Sequence, residues 1–183
     1  MATKQKIVGF YCDRSIRERM NFIFENYRDF EQFHKAYRKS IEEKISCIRN
    51  YERRKENHLG VRIMGGQTIS DITAQKAIEN LEISDNIAKG NIAGLQIQDE
   101  EDRKEIETAV LEWQLMRHEF EIFRQQLLML KTSDYDILFP YINKEKSRKE
   151  LAKELEIERG SIDKRIYRIR RILMDRMVSY LKE

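Results

Sequence analysis

Residues 147–173 read SRKELAKELEIERGSIDKRIYRIRRIL. Ser147 followed three residues later by Glu150 is a capping box: the hydroxyl accepts from a free backbone N–H of the first turn, and the carboxylate reaches back to the cap. A short helix therefore begins here, with Leu151, Ala152 and Leu155 as its inner face. Ala152 supplies the small side chain that lets a second helix cross closely. Ile157 is expected to plug a turn. From Gly160-Ser161 a second helix then places Ile162, Ile166, Ile169 and Leu173 on one face.

The face opposite that stripe holds Gly160, Lys164, Tyr167, Arg168 and Arg171. Between Arg159 and Arg176 seven basic residues stand against Asp163 and Asp175, the densest positive stretch of the chain. In a DNA-binding helix-turn-helix, this outward face of the second helix enters the major groove. Lysine and arginine displace counterions there, and arginine also reads guanine edges with two parallel hydrogen bonds. The candidate DNA-contacting residues are Arg148, Lys149, Arg159, Gly160, Ser161, Lys164, Arg165, Tyr167, Arg168 and Arg171. Arg148 and Lys149 would meet the DNA backbone near the N-terminus of the first helix. A basic helix is often only a solvated face. Here, however, the capped short helix with Ala152 marks the motif without using charge, and the charge then falls on the face left open.

The composition of the whole chain fits the same architecture. Seven Gly and one Pro among 183 residues, with 37% charged side chains, leave few helix breakers and much salt-bridge material. An all-α fold is expected, and the length excludes a large multidomain enzyme. The net charge of +3 is unevenly spread: residues 1–60 carry +5, residues 61–130 carry −6 and residues 131–183 carry +4. Cys12 and Cys47 are isolated, which suits a reducing compartment and argues against a disulfide framework or a zinc site. No signal peptide and no apolar run of membrane-spanning length is visible, so a cytoplasmic location and no membrane partner are expected.

Four segments follow. Residues 1–56 form an N-terminal helical region, in which Phe30, Phe33, Tyr37, Ile41, Ile45, Ile48 and Tyr51 make one apolar stripe over about Arg14 to Glu56. A break between Glu25 and Asp29 is open. Residues 57–98 form a linker, with Gly60, Gly65 and Gly66 over Asn57 to Ile69, Ser70 as a cap and a short helix over Ile72 to Leu81. Gly65-Gly66 lacks the preceding strand and the following Gly-Lys of a phosphate loop. Residues 99–131 form a long helix whose acidic first turn complements the helix dipole. Its series Ile106, Val110, Trp113, Met116, Phe120, Phe123, Leu127 and Leu130 approximates a heptad repeat. The Phe30–Tyr51 stripe would pair with it antiparallel, and a second copy would serve equally, as a homodimer through the long helices. Residues 132–183 form the helix-turn-helix domain, opened by a short helix over Asp134 to Ile142 that is expected to end or kink before Pro140.

These residues resemble a family: the late-gene transcription regulators of phages of Gram-positive bacteria, of the ArpU, RinA and LtrC types, whose tail is similar to region 4 of sigma-70 factors. Tyr141-Ile142, the run Lys149 to Leu155 and the run Ser161 to Ile166 carry the likeness. Upstream, Gly65-Gly66, Ser70-Asp71, Thr73-Ala74 and Ala77 are similar to the family's linker. Three positions depart from the pattern: Glu156 stands where the turn usually has Gly, Ile72 where the linker often has Pro, and Arg165 where an apolar residue is common. The resemblance implies a transcription activator of late packaging or lysis genes, bound to double-stranded DNA in a late promoter region and aided by host RNA polymerase.

His34, His58 and His118 are scattered without metal-ligand spacing, neither Cys has a neighbouring His, and Trp113 fits a helix seam. No enzymatic activity, catalytic residue, metal or cofactor is expected. Two other functions share the pattern. A phage small terminase subunit also joins a helix-turn-helix to a coiled coil, with the DNA-binding module usually first. A helical adaptor would dock a protein on the Asp99–Lys131 helix.

Overall fold

The computed structural model describes residues 11–56 and 72–182. The loop expected over Asn57 to Ile69, the Ser70 cap and His58 lie outside the described residues. The fold is all-α: α1 (Ile16–Asn26), α2 (Phe30–Glu56), α3 (Ile72–Lys89), α4 (Glu100–Leu128), α5 (Thr132–Ile142), α6 (Arg148–Glu154) and α7 (Arg159–Tyr180), with no strand among the described residues. The open question between Glu25 and Asp29 is answered by a 3-10 turn at Tyr27–Asp29, which divides α1 from α2. The described residues fall into two compact units, one within 1–34 and 115–183, the other within 35–114. The first is discontinuous in sequence, because α2 leaves it near its own start and α4 returns to it midway.

In the 35–114 unit, α2 and α4 run antiparallel, and each step forward on one is matched by a step back on the other. Tyr37 donates its hydroxyl to Glu112 at 2.6 Å, Lys44 pairs with Glu105, and Glu52 accepts the Gln98 amide at 2.8 Å. Their seam is therefore filled within the chain, by Ile41 and Ile45 against Ile106, Val110 and Trp113. α3 closes this core with Ile83 and Ile87, held by Arg38 on Ser84 and Arg53 on Glu79. It runs two turns beyond the expected end at Leu81, to Lys89. Gly90, at φ 67°, then reverses the chain, with Asn91 N–H on the Asn86 carbonyl and Gly90 N–H on that of Ile87. This paired 6→1 and 5→2 pattern is a Schellman motif. α4 starts on Asp99, whose carboxylate accepts from the amides of Glu101 and Asp102 at 2.9 and 3.0 Å.

In the other unit, Ser15 and Glu18 form a capping box that starts α1. Met20, Ile23 and Phe24 are buried, and Phe30 stacks on Phe120 with centroids 4.5 Å apart. The heptad reading of α4 missed a second stripe: Glu112, Glu119 and Gln126, seven residues apart, are all buried. Glu119, 1% exposed, accepts the Tyr11 hydroxyl at 2.6 Å and a bidentate guanidinium from Arg19 at 2.7 to 3.0 Å. Burial, the adjacent carboxylate and the hydrogen bond to it all raise the Tyr11 pKa, so its proton stays on. A buried charge is tolerated only when paired in this way.

Candidate nucleic-acid interface

α7 packs against α6, α1 and α5. Its buried side is Ile162, Ile166, Ile169, Leu173, Met174 and Met177, at steps that follow the helical repeat. α6 is short because a local device fixes each of its ends. The Ser147–Glu150 capping box starts it, with the Ser147 amide donating to Glu150 at 2.7 Å. These bonds favour the ionised Glu150 and lower its pKa. The helix stops where Glu156 turns to φ 52°. The Ile157 amide donates to the Ala152 carbonyl at 3.0 Å and the Glu156 amide to that of Lys153 at 3.3 Å, a second Schellman motif. Glu156 thus occupies a left-handed position that glycine adopts without steric cost.

α5 repeats the device. Lys144, at φ 57°, follows the C-cap, and Glu145 N–H donates to the Pro140 carbonyl at 2.9 Å while Lys144 N–H donates to Tyr141 at 3.1 Å. Of the two outcomes expected at Pro140, an end or a kink, the end is excluded: α5 continues through it to Ile142. The ring removes one hydrogen bond in the last turn, where little helix follows, and its carbonyl anchors the reversal. Two further expectations change. Leu151 and Ala152 are buried, but Leu155 is 42% and Ile157 38% exposed. Leu155 is the C-cap and borders a groove lined by Tyr135, Phe139 and Pro140.

The ten candidate residues separate into two groups. Lys149, Arg159, Gly160, Ser161, Lys164 and Tyr167 are the first, with Tyr167 69% exposed and open space around Gly160 on the side where a Cβ would stand. Lys149, Arg159 and Lys164 make no ion pair among the described residues. The other four, all arginines, are engaged. Arg148 donates to the Tyr141 hydroxyl at 2.7 Å and to Asp163 at 3.1 Å, pinning α6 to α7. These partners raise its pKa further. Arg165 and Arg168 both turn to Asp134 of α5, at 3.5 and 3.3 Å, and Arg165 also donates to the Ser133 carbonyl. Arg171 lies 3.9 Å from Asp175.

Asp134 was missed by sequence reasoning. An acid in the first turn of a helix reads as a dipole complement, whereas this one is buried and accepts from Arg168, 34 residues further along. Gly160, Lys164, Tyr167, Arg168 and Arg171 nevertheless share the side of α7 away from its buried stripe. The arrangement offers an anion-binding surface, with the cations Arg159 and Lys164 on the first two turns and arginines held by single carboxylates beside them. Among the described residues there is no cluster of His, Cys, Asp and Glu of metal-binding form, and no helix long and apolar enough to cross a membrane. Comparison of the chain with family models, with curated proteins and with solved structures finds no match.

Proposed function

We propose that the chain is a sequence-specific DNA-binding transcription regulator that lays the first turns of α7 in the major groove of double-stranded DNA. The observation that carries this reading is the pairing of a doubly terminated short helix, α6, with a longer helix whose inner face is apolar and whose outer side bears Arg159 and Lys164, without ion pairs among the described residues. A rigid turn fixes the helix that enters the groove, and unpaired cations meet phosphate without first giving up a partner. Arg148 acts in this reading as a brace between α6 and α7, and Arg165 and Arg168 are positioned by Asp134.

The finer role, activation of late phage genes with help from host RNA polymerase, rests on the family resemblance. A second copy is a further proposed partner. Because the α2–α4 seam is filled within the chain, a dimer would use another surface.

Duplex binding as a function of salt tests the reading. Lys164→Ala combined with Arg168→Ala is expected to weaken binding and to flatten the salt slope by about one unit for each phosphate that is no longer neutralised. Unchanged affinity at low salt would remove this face from the interface. Footprinting across the genome that encodes the chain would locate the operator.

A further inference from the structure

We propose that α1 belongs to the same DNA-contacting surface: Arg17 of α1 and Arg171 of α7 together grip one backbone phosphate at the edge of the α7 face. This extension rests on the DNA-binding reading above.

A groove of about 160 Å³ separates the two helices, lined by Arg17, Asn21, Tyr167, Arg170, Arg171 and Asp175 among others. Three guanidinium groups thus surround it against one lining carboxylate. Their roles differ. The Arg170 side chain is 33% exposed, lies 4.5 Å from the Phe24 ring centroid and donates to Asn21 at 2.8 Å and Glu25 at 3.2 Å. It rivets α1 to α7. Arg17 and Arg171 are 63% and 73% exposed and share Asp175, at 3.0 and 3.9 Å.

An exposed ion pair stabilises very little, because water and salt screen it. Both arginines therefore exchange Asp175 for a better acceptor at small cost. A phosphodiester is that acceptor: it takes a guanidinium fork through two oxygens and releases a condensed counterion as it does so. Position favours DNA as its source. Tyr167 lines the groove and also belongs to the outward face that carries Lys164. Arg171 follows Lys164 by seven residues, about 10 Å along the axis at 1.5 Å per residue. A major groove is about 12 Å wide. With Lys164 in the groove, the Arg17–Arg171 pair falls where the backbone borders it.

The test uses the full chain and a duplex containing its footprinted site, with affinity measured by fluorescence anisotropy across a salt series. Arg17→Ala is expected to weaken binding several-fold at low salt and to reduce the salt slope by about one unit. Asp175→Asn removes the competing carboxylate while keeping its shape, and is expected to tighten binding. Lys164→Ala serves as the reference variant. If Arg17→Ala binds as wild type while Lys164→Ala weakens binding, α1 lies outside the interface and the DNA-binding reading stands. If neither changes affinity, the assignment of the α7 face itself fails. Weaker binding by Asp175→Asn would overturn the competition between carboxylate and phosphate.

Discussion

Glu156→Gly should stabilise the protein, and the reason lies in one torsion angle. At φ 52° the Glu156 backbone is in the left-handed region, where a Cβ crowds the following carbonyl at a cost of about 1–2 kcal/mol. Glycine removes that cost but widens the unfolded ensemble, which returns about 0.4–1 kcal/mol. The two Schellman hydrogen bonds, from Ile157 to Ala152 and from Glu156 to Lys153, are made by backbone groups and survive the change. The net expectation is a gain between about 0 and 1.6 kcal/mol, centred near about 0.8, and at about 2–4 °C per kcal/mol for a chain of this size the central value raises Tm by roughly 2–3 °C. Denaturant titration and thermal melting at neutral pH measure it. Glu156→Ala is the control, since it removes the charge but keeps the Cβ. Alanine should leave stability close to wild type. If alanine and glycine stabilise equally, the effect is electrostatic and the backbone account is wrong; if glycine destabilises, the left-handed turn is not the strained element.

Glu119→Gln should destabilise by about 3–5 kcal/mol, because it strands the part-buried Arg19 charge without its counter-ion; a loss under about 1 kcal/mol in denaturant titration would show that water reaches this site. Ser147→Ala should cost about 1 kcal/mol by removing the α6 cap, again read by denaturant titration. The Glu150 carboxylate has a lowered pKa in the folded state, so its contribution is present above the unfolded carboxylate pKa and disappears as pH falls through the folded value. Melts of wild type and Glu150→Gln should therefore converge on acidification, and a gap that persists below that point would disprove the capping role of the charge.

Much of the fold was legible because it is written at short range. The Ser147–Glu150 capping box, the dipole-complementing start of α4 and the apolar stripes of α2, α4 and α7 are patterns over three to seven residues, and backbone geometry converts such spacing directly into faces and ends. The Glu156 position was visible as a departure, and its torsion angle supplies the physical meaning. Pro140 left an end or a kink open because its cost depends on how much helix follows it, and Leu155 was misplaced because the C-cap reverses the chain beneath it.

Local spacing alone dictates an all-α chain with a short capped helix, a turn and a basic amphipathic helix in its last third. Helix packing settles which helix fills the α4 seam and which cations stay available. Arg168 meets Asp134 and Arg17 meets Asp175 across separations of 34 and 158 residues. Such pairs depend on how helices pack, and nothing in local periodicity records them. The same packing leaves Arg159 and Lys164 without ion pairs among the described residues, on the first turns of α7, and brings α1 alongside the later ones.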